Sequence, residues 1–137
     1  MSRRSDQRRQ AAFAIYQHEL TGRSLDEVLP QDSSRFTRSL AHAADDYTDE
    51  VDGLIERHAK GWTIERIAPL EKAIMRVALL EMLHPDAAPG DHPIPPEGAI
   101  DEAITTTKTF CGADAPGFVN GVLDAILRQI RETAPRG

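Results

Sequence analysis

Apolar residues recur at steps of three and four along most of this chain, and no segment sustains the alternation of a half-buried strand. The pattern predicts an all-α protein, a single helical-bundle domain over residues 1–137 with about six to seven helices. A first helix is expected from about Ser5 to Leu20, with Ala12, Phe13, Tyr16 and Leu20 on its inner side and Gly22 ending it. Ser24 and Glu27 have the spacing of a capping box, and Pro30 follows, so 24–29 reads as a short connecting helix. From Ser33 or Ser34 onward, Phe36, Leu40, Ala43, Ala44, Tyr47, Val51, Leu54, Ile55 and His58 form one continued stripe. That stripe predicts one long helix with a bend near Asp45.

Gly61 ends this helix, and Thr63 is placed to cap a short turn through Ile67. Pro69 then suits the first position of a helix that turns Leu70, Ile74, Val77, Ala78 and Leu80 inward. His84 to Pro96 holds five of the nine prolines and Gly90, which predicts a stiff, exposed connection without regular helix. Pro96 opens the next helix, with Ala99, Ile100, Ala103, Ile104 and Phe110 spaced for burial before Cys111 and Gly112 close it. The last helix starts between Asp114 and Gly117. Its apolar side carries Phe118, Val119, Val122, Leu123, Ile126, Leu127 and Ile130, and Asn120, Asp124, Arg128 and Arg131 take the other side. Residues 133–137 are expected to fray.

Charge changes this picture more than overall composition does. The formal net charge of −6 opposes nucleic-acid binding, because phosphate contacts need Lys and Arg to displace counterions. The signs are segregated, however. Arg3, Arg4, Arg8 and Arg9 stand against Asp6 alone in the first ten residues, with 1–7 as a basic arm, whereas Asp45 to Glu56 contains six acids and no base. One cysteine, Cys111, excludes an internal disulfide and fits a reducing compartment. No run of 18 apolar residues and no apolar leader is present, so a cytoplasmic protein is expected.

Candidate chemistry is sparse. His18, His42, His58, His84 and His92 lack metal-ligand spacing, and no phosphate loop or nucleophile elbow follows a strand; no cofactor, metal or catalytic residue is expected, and the chain reads as a non-enzyme. The N-terminal arginines leading into Tyr16 could pair with phosphates beside a stacking ring. They could equally be a solvated tail leading into a core tyrosine. Gly121, within Phe118-Val-Asn120-Gly, either permits a close helix approach or marks a surface; as a helical glycine it costs about 1 kcal/mol against alanine.

Several segments in order resemble the NusB family. They are Arg8-Arg9-Gln-Ala-Ala-Phe-Ala-Ile-Tyr16; Trp62-Thr-Ile-Glu-Arg-Ile67 with Glu71-Lys-Ala-Ile-Met-Arg76-Val-Ala-Leu-Leu-Glu81; Ala99-Ile-Asp-Glu-Ala-Ile104 with Thr107-Lys108-Thr-Phe110; and Phe118-Val-Asn120-Gly-Val-Leu-Asp124. The last is the most distinctive. Leu80 departs from the tyrosine frequent in the family, as does Thr106-Thr107 from Leu-Ala.

The resemblance implies an antitermination factor that binds single-stranded boxA RNA of ribosomal RNA transcripts together with NusE, the small-subunit ribosomal protein, within an RNA polymerase complex. It assigns RNA contacts to Arg3, Arg4, Arg8, Arg9, Tyr16, Lys108, Phe118, Asn120 and Asp124, and NusE contacts to Arg76 and Glu81. Two other readings stay open: a homodimeric helical module that buries this surface without binding RNA, and the NusB-like part of a ribosomal RNA cytosine methyltransferase. The second is disfavoured by the expectation that no catalytic segment follows Arg131.

Overall fold

The computed structural model describes residues 3–88, 90 and 93–133, and contains seven α-helices and no strand among them. They are α1 (Arg4–Thr21), α2 (Leu25–Val28), α3 (Arg35–Asp46), α4 (Thr48–His58), α5 (Pro69–Leu83), α6 (Pro96–Phe110) and α7 (Ala115–Thr133), with short 3-10 turns at Ile64–Arg66 and Pro85–Ala87. Residues 1–2 of the expected basic arm, residues 89, 91 and 92 of the expected connection (His92 among them) and residues 134–137 of the expected tail lie outside the described residues.

Helix ends follow local chemistry. Ser24 and Ser34 each accept a backbone N–H three residues on, from Glu27 and Thr37, satisfying a donor that the first helical turn leaves unpaired. Pro69 and Pro96 sit in the first turns of α5 and α6, where a missing N–H is harmless. Gly22 stops α1 in the left-handed region at φ 72° and returns its N–H to the His18 carbonyl.

α5 is the axis of the bundle. Every residue from Lys72 to Glu81 is buried, and α1, α3, α4, α6 and α7 all pack on it. A helix enclosed on all sides is apolar all round, except where charges find partners. Lys72, Arg76 and Glu81 are those exceptions, and each is ion-paired to another helix.

The structure corrects several expectations. The long helix is two, α3 and α4, broken at Tyr47 (φ −98°, ψ 15°), where the Thr48 hydroxyl donates to the carbonyls of Ala44 and Asp45. Leu20 and Phe110 are not core residues: they are 55% and 43% exposed. Thr63 makes no side-chain cap. The 84–96 connection is less detached than its prolines suggest, since Ala88 is buried and Ile94 packs on the core. A Cβ on Gly98 would stand 2.8 Å from Ile94 Cγ1, so the glycine lets this strap lie across the start of α6.

Candidate nucleic-acid interface

The N-terminus of α1 carries its arginines at the positive end of the helix dipole, an arrangement that works against helix stability. Aromatic rings compensate. The Arg4 guanidinium lies 4.1 Å from the centre of the Phe36 ring, and Arg8 lies 5.4 Å from the same ring. Arg9 lies 5.3 Å from the Phe110 ring, which meets Phe13 edge-on at 5.0 Å.

Arg4 and Arg8 thus face α3, whereas a neighbouring stripe of α1 sends its side chains to α6. Ser5 donates to a Glu102 carboxylate oxygen at 2.8 Å, and Arg9 and Phe13, at successive four-residue steps, reach Phe110 eight residues further along α6. Phe110 thus lies beside an arginine, partly open to solvent, at the end of its helix. Its position gives the N-terminal cations an exposed ring.

Arg8 differs from its neighbours. Its Nε and Nη2 donate to the two Glu81 carboxylate oxygens at 2.7 and 3.0 Å, and the two side chains are only 13% and 8% exposed. Arg4 is exposed and donates to Gln7 Oε1 at 2.7 Å. Arg9 makes a longer contact of 3.6 Å to Asp6, while its Nε is buried without a hydrogen-bond partner.

A second group of residues sits where α7 begins. Phe118 is half-buried and meets Trp62, which is 50% exposed, edge-on at 6.0 Å. With Arg66, Ile67, Glu71 and Asp114 they line an open cavity of about 400 Å³. Burial pushes the Glu71 carboxyl above its ordinary range. Burial and the nearby Glu71 charge together push the Cys111 thiol up. Cys111 follows Phe110, so this cavity adjoins the end of α6.

Gly117, Asn120, Gly121, Asp124 and Arg128 form an exposed stripe on α7, with Asp124 and Arg128 3.4 Å apart. A Cβ on Gly121 would meet nothing within 4 Å, so the expected close helix approach does not occur there. Lys108 is exposed near the end of α6, and Tyr16 is half-buried against the core.

Residues 5–128, from the second residue of α1 to Arg128 of α7, match the model of the NusB family. The chain belongs to that family. A transcription antitermination protein NusB from Symbiobacterium thermophilum is 36% identical over 106 residues, covering 77% of this chain. The chain spans 65% of the length of that relative. The NusB of T. maritima superposes with a TM-score of 0.80 at 26% identity, over 93% of this chain and 92% of that one. A structure of antitermination factors NusB and NusE with double-stranded RNA has the same fold, at a TM-score of 0.76 and 23% identity, covering 92% of this chain and 96% of that one.

Within this NusB-family fold the expected site residues separate into groups. Arg4, Arg8 and Arg9 come together at α1; Phe118 joins Trp62; Asn120 and Asp124 lie on the α7 stripe. Arg76 and Glu81 face inward: Arg76 is 5% exposed and pairs with Asp52 and Glu19, and Glu81 holds Arg8. Both residues assigned to NusE by the resemblance are thus buried ion-pair partners within the bundle. Sequence reading missed Phe36, Phe110 and Trp62 as partners of the site. A lone tryptophan just after a helix-ending glycine was the available signal for Trp62.

Proposed function

We propose that this protein is a non-enzymatic transcription antitermination factor. It binds boxA RNA of ribosomal RNA transcripts together with NusE in the RNA polymerase antitermination complex, and works in the cytoplasm. The observation that carries this reading is the pairing of Arg4 and Arg9 with the Phe36 and Phe110 rings in a chain of the NusB family.

An acidic protein binds RNA through a few clustered cations, which suits a single strand whose unstacked bases meet ring or guanidinium faces. Arg3, Arg4, Arg9 and Lys108 supply the backbone contacts in this reading. Tyr16 and Phe118 offer ring faces, and Asn120 and Asp124 flank them. About four phosphate contacts give a salt slope near −3, at roughly −0.7 each for a single strand. That modest electrostatic term explains why a co-binding protein would be needed.

The test compares a boxA-type single strand, a scrambled strand and a duplex across a salt series, with and without NusE. Preference for the boxA strand, strengthened by NusE and weakened by Arg4→Ala or Arg9→Ala, is expected. Equal affinity for all three RNAs, unchanged by NusE, would sink it. The exposed Phe110 and Trp62 also suit a homodimer. Sedimentation showing a tight dimer untouched by RNA favours that alternative.

A further inference from the structure

We infer that Glu81 withdraws Arg8 from the ligand and makes it a positioning residue, leaving Arg4 and Arg9 as the α1 cations that meet phosphate. The three arginines look equivalent along the helix, but their surroundings are not. Arg8 is committed through two parallel charge-assisted hydrogen bonds in a nearly closed site. A phosphate could recruit it only by breaking that fork and leaving the Glu81 carboxylate unpaired inside the bundle, which is strongly unfavourable.

The pair also explains how Arg4 is held. Arg4 and Arg8 share the Phe36 ring, and two adjacent guanidiniums repel one another. Glu81 cancels the inner charge, so the outer one can sit over the ring at 4.1 Å while Gln7 accepts from its Nη1. Glu81 is joined to α1 from the central helix α5, so the start of α1 is fixed to the rigid axis of the bundle. The result is a preorganised cation on an aromatic platform.

This inference takes its ligand from the RNA reading above, and salt dependence of binding separates the roles. Each phosphate contact contributes roughly 0.7 to the slope for a single strand, which is a factor of about 2.6 in affinity between about 50 and 200 mM salt. Arg4→Ala and Arg9→Ala are each expected to lower the slope by about 0.7. The double variant Arg8→Gln with Glu81→Gln removes both charges of the pair together and should keep the slope of the unaltered protein. Glu81→Gln alone frees Arg8 and should raise the slope by about 0.7, with tighter low-salt binding to any strand. A fall in slope for the double variant, or no rise for Glu81→Gln, overturns the inference.

A second measurement does not need RNA. In ¹⁵N–¹H spectra of the full chain titrated with tripolyphosphate, the side-chain Nε–H signal of the exposed Arg4 should move and that of Arg8 should not. Movement of the Arg8 signal first would overturn the assignment. Failure of any RNA to bind would defeat only the functional reading.

Discussion

Arg76 of α5 grips Asp52 of α4 in a fork, with its Nε and Nη2 each 2.7 Å from a carboxylate oxygen. A third nitrogen reaches Glu19 of α1 at 3.3 Å, and Lys72, one turn earlier on α5, takes the other Glu19 oxygen at 3.0 Å. Three helices are thereby joined by charges around an Arg76 side chain only 7% exposed. Burial alone would make Arg76 easier to deprotonate, but Asp52 and Glu19 outweigh it and hold the proton more tightly than usual. Asp52→Ala leaves that cation short of its main partner and is expected to destabilise the fold by about 3 kcal/mol. The urea midpoint should fall at unchanged slope. An effect below about 1 kcal/mol, the range of exposed pairs, would show that water screens the network.

The same network sets an acid limit. Burial pushes the Glu19 carboxyl up, yet hydrogen bonds and charges from Lys72 and Arg76 win and hold it below its ordinary value of 4.5. A group depressed in the folded state contributes fully above its unfolded pKa and loses that contribution as pH falls through the folded one. Stability should therefore decline as pH drops below about 4.5, and Glu19→Gln should flatten the decline while lowering stability at pH 7. Parallel curves for both proteins would remove Glu19 from the acid transition.

Glu71 has the opposite sign. Its carboxyl is raised by burial, so ionisation opposes folding at neutral pH, and the penalty disappears as pH falls below its unfolded value. Glu71→Gln should raise the melting temperature at pH 7 and leave it nearly unchanged at pH 3. Equal gains at both values would point to packing in place of charge.

Local chemistry accounts for what the sequence made legible. Ser24, Ser34, Gly22, Pro69 and Pro96 act at helix ends through groups within a few residues, so their positions could be read directly. The break at Tyr47 could not: the apolar stripe continues across it, with no proline or glycine, and only the Thr48 hydroxyl offers the backbone an alternative. The arginines of the site were visible as a cluster, but their partners were not. Glu81 lies 73 residues from Arg8, and only the packing of α1 on α5 distinguishes Arg8 from Arg4.

Ser34 gives a simple check on the cap at α3. Its hydroxyl oxygen accepts from Thr37 N at 3.0 Å and also donates to the Thr37 hydroxyl. Ser34→Ala should cost about 1 kcal/mol, and Ser34→Asp should restore most of it by accepting the same N–H at the positive end of the helix. Chemical denaturation of both variants decides this. No loss for alanine would mean that water replaces the cap.

Gly22 and Gly121 separate backbone need from surface need. Both have open space where a Cβ would stand, but Gly22 has φ +72° whereas Gly121 lies within α7 without a positive φ. Gly22→Ala should destabilise by about 1 kcal/mol through left-handed strain. Gly121→Ala should stabilise by about 1 kcal/mol, since alanine is the better helix former and nothing obstructs it. On the RNA reading, the exposed Asn120–Asp124 stripe leaves the Gly121 backbone open to a ligand that an added Cβ would hold off. Gly121→Ala is therefore expected to melt higher and bind RNA more weakly. Higher melting with unchanged RNA binding would remove this turn of α7 from the interface.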